Sequence, residues 1–380
     1  MPPLQVLTII GTRPEAVKMG PVVQALARHP EVASQVCVTA QHRQMLDQVL
    51  ALFQITPDYD LDLMRPGQSL AEVTAAIFTH LDPVFASTRP DWILVQGDTT
   101  TVMAAGLLGY YHRIRVGHVE AGLRTGDKWQ PFPEEINRRV VGTLADLHFA
   151  PTDWAAENLR KEGVPAARIR VTGNPVIDAL QQVAGRPATP DVVELFNSLG
   201  IPPERSADAP HIILVTAHRR ENFGEPLENI CEAILELAGI YKDRIHFVYP
   251  VHLNPNVQEP VRRLLGGAPQ VTLLEPLDYL PLVQLLKRST LVLTDSGGLQ
   301  EEAPGLGVPV LVMRAVTERP EGVEAGTVKL VGADRERLVA ETRRLLDDPQ
   351  AYAAMAQAVN PYGDGRAAGR IVEGLLTYEI

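Results

Sequence analysis

The sequence predicts an α/β protein made of two Rossmann-like domains, each built on a parallel sheet. Three observations carry this. Short runs rich in Val, Ile and Leu recur along 380 residues, separated by longer segments with apolar residues at i, i+3 and i+4. The runs are continuously apolar rather than alternating, as in strands covered by helices on both faces. The length also exceeds what one core fills, since single cores stop growing at roughly 250–300 residues.

In chain order, the first runs are LQVLTII (4–10), QVCVTA (centred on 36–40), WILVQG (92–97), RVGHVEA (115–121), LHFA (147–150) and IRVTG (169–173). Segments of helical period, PVVQALARH, LAEVTAAIFTHLDPVF and TVMAAGLLGYYHR, lie among them. The pattern weakens at GRPATP (185–190) and IPPERSADAP (201–210), where Pro and polar residues predict a hinge. It restarts with HIILVTAH (211–218), HFVYPVH (246–252), VTLLEP (271–276), LVLTDS (291–296), PVLVMR (309–314) and VKLVG (328–332). About six strands per domain follow, with boundaries at 1–184 and 185–364. The amphipathic tail GRAAGRIVEGLLTYEI predicts a helix over about 365–380 that can pack back on the first domain.

Composition narrows the function classes. The chain is 45% hydrophobic with a net charge of −11. Nucleic-acid binding would need a basic stripe, which this balance argues against. An anionic ligand stays open, because a cationic pocket can sit inside an acidic protein. Cys37 and Cys231 stand far apart in apolar runs and read as buried thiols of a reducing compartment. The opening MPPLQVLTIIGTRPE reads as a first strand, not a signal peptide. No stretch reaches the ~18 apolar residues of a membrane span, so a soluble, cytoplasmic protein is expected. HEXXH, H-x-x-x-H and paired-Cys spacings are missing, so no metal is expected; GxGxxG, GxxxxGK[ST] and G-x-S-x-G are missing too.

In open α/β sheets ligands sit outside the carboxyl ends of the strands, and those are the polar places in this chain. Ser296, Gly297 and Gly298 predict a turn at a helix mouth, where amide N–H groups and aligned dipoles favour an anion. A plain tight βα turn has the same composition. Glu301 and Glu302 follow about a turn later, and a carboxylate there suits ribose hydroxyls. Arg13, Lys18 and Arg319 each follow a strand. Singly each is a solvated charge; together they suggest a diphosphate clamp. Asp98 in QGDTTT either N-caps the next helix or does acid–base work. Glu134 in PFPEEINRR either partners a helix dipole or joins that work. Glu120 ends an apolar run, where an unpaired carboxylate is costly. His218 closes another such run. Carboxylates converging opposite a phosphate grip suit proton transfer at a sugar carbon.

The blocks GTRPEAVK, QGDTTT, HVEAGLRTGD, PFPEEINRR, GNPVID, TAHRREN, YPVHLNPNV and DSGGLQEEAPGLGVPVLVMRAVTERPEG, in order across about residues 5–370, resemble the non-hydrolysing UDP-N-acetylglucosamine 2-epimerase family. The resemblance implies the glycosyltransferase-B architecture, with the active site between two Rossmann-like domains and a C-terminal helix crossing back to the first. It implies a cytoplasmic homodimer without a cofactor. The implied reaction is reversible conversion of UDP-GlcNAc to UDP-ManNAc by anti elimination of UDP to 2-acetamidoglucal and syn re-addition, supplying ManNAc for cell-surface polysaccharide. It implies acid–base roles for Asp98, Glu120 and Glu134, and a role for His218 near the pyrophosphate or leaving oxygen. UDP contacts carry over to Arg13, Lys18, Ser296, Gly297, Gly298, Glu302 at the ribose, and Arg319. Leu277 and Leu282 stand where the family often has Gln and Phe, so the base is expected to rest on backbone groups and apolar packing. A second UDP-GlcNAc, bound as activator, is implied at Gln41, His42, Gln44, Arg65, Arg219 and His252; a family basic position aligns with Gly67, two residues from Arg65. A UDP-sugar glycosyltransferase would share the grip with fewer carboxylates, and a non-catalytic sensor would lose the acids.

Overall fold

The computed structural model describes residues 2–39, 43–65, 67–202 and 209–378, the Gln44 side chain excepted. The chain divides into two compact units, Met1–Ala179 with Tyr362–Ile380, and Leu180–Pro361. The division falls inside the helix Pro175–Ala184, and the Pro-rich stretch after it contains a further helix, Pro190–Ser198.

In the first unit, strands β1 (Leu4–Ile10), β2 (Val32–Val38), β3 (Tyr59–Asp60), β4 (Trp92–Gln96), β5 (Arg115–Val119), β6 (Leu147–Ala150) and β7 (Ile169–Val171) pair in parallel in the order β3-β2-β1-β4-β5-β6-β7. About six strands were expected, and seven are found among the described residues. The extra one, β3, is two residues long and leaves no apolar run to detect. The strands form where the side chains are bulky and branched, and β4 is buried at every position. Fully burying one such aliphatic side chain contributes roughly 1.5–3 kcal/mol.

In the second unit, β8 (His211–Thr216), β9 (Ile245–Pro250), β10 (Val271–Leu274), β11 (Leu291–Thr294), β12 (Val310–Val312) and β13 (Val328–Leu330) pair in parallel in the order β10-β9-β8-β11-β12-β13. Each sheet reverses its strand order once, between β1 and β4 and between β8 and β11. Those reversals open crevices at the carboxyl ends of the strands.

The helix after β1, Arg13–Arg28, starts at a capping box in which Thr12 and Glu15 satisfy each other's backbone amides, with a proline in its first turn. The tail helix Ala367–Leu376 packs on it. Its first amides, those of Ala367 and Ala368, donate to the Asp178 carboxylate at 3.1 and 2.9 Å, a cap supplied from 189 residues upstream. No described helix is long and apolar enough to cross a membrane.

Candidate active site

In the first unit the polar residues gather where β1, β4 and β5 end. β5 stops at Val119, so Glu120 lies one residue past the strand rather than in it, as the apolar run had suggested. Its φ is +62°, a left-handed conformation that a glutamate rarely adopts, and it is 7% exposed. One oxygen, Oε2, receives Lys18 Nζ at 2.5 Å, Gln96 Nε2 at 3.1 Å and Asn174 Nδ2 at 3.1 Å. Lys18, expected in a phosphate clamp, is thus the counter-charge of a buried carboxylate.

Asp98 is not the helix cap. Thr99 caps Thr100–Tyr111, its hydroxyl accepting from the Val102 amide, and this leaves the Asp98 carboxylate to an ion pair with Arg138. The Asp98 carbonyl accepts from Asn137 Nδ2 at 2.9 Å. Gly97, at φ +82°, supplies the turn, and its amide donates to the Val119 carbonyl at 3.0 Å. Asp98 and Glu120 therefore leave adjacent strands at the same level.

Glu134 and Glu135 open the helix Glu134–Leu144. Glu135 is wholly buried and accepts from the Thr125 amide, Arg138 and Arg139, which ties the preceding loop to the helix. Glu134 is half-buried, and its Oε2, shielded from solvent, has no hydrogen-bond partner. A shielded but unsatisfied carboxylate oxygen calls for a ligand or a functional explanation. Arg13 begins the helix after β1, half-buried, with Nη1 3.9 Å from the Met45 sulfur.

Four contributors had no part in the sequence reading. Gln96 and Asn174 hold Glu120, and Arg138 holds Asp98. The fourth is Glu15, which bridges two turns: its carboxylate accepts from the Gly11 amide, the Thr12 amide at 3.3 Å and the Thr99 hydroxyl at 2.6 Å. Burial raises its pKa to about 7 against the lowering effect of those bonds. The T-R-P-E spacing of a capping box was the available signal for it.

In the second unit the glycines do meet a close neighbour, and it is protein. A Cβ on Gly297 would stand 2.6 Å from Arg319 Nη1, so the bare backbone there makes room for a guanidinium. Gly298 caps the short helix Leu299–Gly305, and the Ser296 amide donates to the Thr294 hydroxyl at 2.9 Å. Arg319 is 7% exposed and pairs with Glu301 at 2.5 Å and Glu318 at 2.6 Å. Burial by itself would raise Glu318, but Arg319 and Arg314 outweigh it and hold that carboxyl at about 2. Glu302 takes a different partner, accepting from the Tyr279 hydroxyl at 2.8 Å. The two adjacent glutamates are thus distinguished, one committed to a cation and the other to a phenol.

β8 stops at Thr216, so His218 lies two residues beyond the strand rather than closing it. Its ring stacks on that of His252, with centroids 5.4 Å apart and planes 16° from parallel. Burial lowers its pKa; Asp295 opposes that, and Arg219 and His252 add to it. Of the residues implied for a second nucleotide, Arg219, His252 and Arg65 are exposed. Gln41 and His42 lie outside the described residues, as does the Gln44 side chain. Among the described residues there is no cluster of His, Cys, Asp and Glu able to hold a metal.

The sequence model of the UDP-N-acetylglucosamine 2-epimerase family matches residues 24–376. The UDP-N-acetylglucosamine 2-epimerase of Salmonella typhimurium is 54% identical over 99% of this chain and 100% of its own. The crystal structure of UDP-GlcNAc 2-epimerase from Neisseria meningitidis bound to UDP-GlcNAc is 49% identical, with a TM-score of 0.91, covering 99% of this chain and 100% of that one. The Methanocaldococcus jannaschii UDP-GlcNAc 2-epimerase solved with UDP-GlcNAc and UDP is 33% identical, with a TM-score of 0.81 over 99% and 100%. The two helix-flanked parallel sheets are the Rossmann-like pair of the glycosyltransferase-B architecture. The chain belongs to the UDP-N-acetylglucosamine 2-epimerase family.

Proposed function

We propose that this epimerase interconverts UDP-GlcNAc and UDP-ManNAc at C2, by anti elimination of UDP to 2-acetamidoglucal and syn re-addition, and so supplies ManNAc for cell-surface polysaccharide. The second unit holds UDP, with Ser296, Gly297, Gly298 and Arg319 at the diphosphate and Glu302 at the ribose; Arg13 and Lys18 add cations. Asp98, Glu120 and Glu134 move protons at the hexose. Breaking C1–O first sends the electron pair out with UDP, and the charge left at C1 makes the C2 proton removable. A carboxylate can then take that proton, and another can return one from the opposite face. His218 stabilises the departing diphosphate.

The observation that carries this reading is the carboxylate set at the ends of β4 and β5. Asp98 and Glu120 leave neighbouring strands at one level, each with its own cation, and Glu134 keeps a shielded oxygen without a partner. A UDP-sugar transferase needs the grip but not three such acids. The resemblance further supports a cytoplasmic homodimer in which Gln41, His42, Gln44, Arg65, Arg219 and His252 receive a second UDP-GlcNAc as activator.

The test is incubation with UDP-GlcNAc in D2O followed by NMR. UDP-ManNAc carrying deuterium at C2 is the expected product. Asp98→Asn and Glu120→Gln should each abolish C2 exchange while UDP still binds. Release of UDP with the sugar joined to a third molecule would replace epimerisation with transfer.

A further inference from the structure

The loop that carries His218 is anchored to a residue the reaction scheme does not use. Asp295 follows β11 directly and is wholly buried, next to the end of β8 at the point where the second sheet reverses. Its Oδ2 accepts from the His218 amide at 2.8 Å, the Arg219 amide at 2.8 Å and Asn222 Nδ2 at 2.9 Å. Tyr249 holds the same loop from the neighbouring strand, donating to the Ala217 carbonyl at 3.0 Å. The backbone of His218 is therefore fixed on both sides.

The other oxygen of Asp295 is the informative one. Oδ1 is buried and accepts no hydrogen bond, and it faces Nδ1 of His218 at 3.4 Å. A buried acceptor left open is costly unless something completes it. The group in reach is the imidazole, and a carboxylate oxygen can only accept, so that ring nitrogen must be the one bearing hydrogen. Stacking on His252 holds the plane of the ring, and His252 is itself oriented, its Nδ1 accepting from the Asn254 amide at 3.1 Å.

We infer that Asp295 is a positioning residue of the epimerase: it keeps the proton of neutral His218 on Nδ1 and leaves Nε2 as the nitrogen that meets the ligand. This rests on the reading that His218 serves the departing diphosphate. Burial favours the neutral ring in the free enzyme. When an anion arrives and Nε2 takes up a proton, the imidazolium finds its counter-charge already in place at Oδ1.

Asp295→Asn separates this role from simple support. The asparagine oxygen can take over the three donors now on Oδ2, and its amide then points at Nδ1, which must become an acceptor, moving the ring proton to Nε2. Long-range 1H–15N NMR of the free full-length enzyme, labelled at histidine nitrogen and recorded at pH 8, reads the tautomer; the His218 ring is assigned by its loss in His218→Gln. The expected result is Nδ1–H in the wild type and Nε2–H in Asp295→Asn. Turnover should fall by up to about 10⁴-fold, the loss that a mis-set tautomer causes in the Ser-His-Asp triad, while the Kd for UDP stays within about threefold, since no ligand contact is removed. A wild-type spectrum with the proton on Nε2 overturns the inference even if the variant does not fold. So does an Asp295→Asn enzyme that turns over normally while His218→Gln is slow. If His218→Gln itself turns over normally, the reading of His218 at the diphosphate falls, and the spectrum still decides what Asp295 does to the ring.

Discussion

Glu15→Gln should stabilise the protein in neutral and alkaline solution and change little in mild acid. Glu15 is completely buried at the turns after β1 and β4, and its pKa is raised from 4.5 to about 7, chiefly by desolvation. A rise of that size, at ~1.4 kcal/mol per pH unit, amounts to about 3 kcal/mol. The sign follows from proton binding. Between pH 4.5 and 7 the native state keeps a proton that the unfolded chain has lost, so stability falls as pH rises through that window and the penalty is constant above it. Glutamine has no charge to bury and can keep the bonds: its oxygen accepts from the Gly11 and Thr12 amides, and its amide donates to the Thr99 hydroxyl. The other titrating groups are common to both proteins and cancel in the difference. Guanidinium unfolding of both proteins at pH 5, 6.5 and 8, read on the first unit by amide exchange in β1 and β4, should show the difference moving towards glutamine by about 2–3 kcal/mol. A difference that stays flat across those pH values refutes the reasoning, as does a 13C titration of the Glu15 carboxyl with its midpoint near 4.5.

Three further outcomes follow from the same geometry. Burial holds His118 at about 4 and His148 at about 3, so below pH 6.5 the unfolded chain takes up two protons that the native state refuses. Stability should fall from pH 6.5 towards 4 by about 1.4 kcal/mol per unit for each histidine, with Glu15 offsetting one of the two down to 4.5; acid titration of the first unit should show a shallower decline in His148→Leu. Lys18→Met removes the cation paired with Glu120 Oε2 and should cost about 3–5 kcal/mol, the range for breaking a buried pair, visible as a lowered Tm together with lost C2 exchange. Gly297→Ala puts a methyl group 2.6 Å from Arg319 Nη1, so the guanidinium must move; calorimetry should find UDP binding weakened about tenfold or more with the first unit's stability unchanged.

Central strands such as Trp92–Gln96 were legible because both of their faces are buried, which leaves uninterrupted apolar runs; the T-R-P-E capping box at Thr12–Glu15 was a signal that went unread. Where the apolar runs end misleads by a residue or two, and here the error matters. Glu120 and His218 read as strand residues, yet each stands beyond its strand, Glu120 in a left-handed turn that a run of letters does not reveal. The partners were less legible still. Asn174 reaches Glu120 across 54 residues, Arg138 reaches Asp98 across 40, and Asp295 meets the His218 amide across 77. The last pairing follows from strand order, which places β8 beside β11, whereas Asn174 comes from beyond β7 and Arg138 from the helix Glu134–Leu144; local composition carries no record of any of these placements.

The same ignorance of partners explains why the cations were read as an open clamp. Lys18 and Arg319 each sit 2.5 Å from a carboxylate. A phosphate reaching either residue would share a charge already paired, so its binding would weaken the hold on Glu120 or on Glu301. At Glu120 that exchange has chemical content. If Glu120 serves the hexose as proposed, drawing Lys18 towards phosphate would remove a positive charge from beside its carboxylate and so raise its proton affinity. Ligand binding and the strengthening of the base would then be one electrostatic event, and Lys18 would link them.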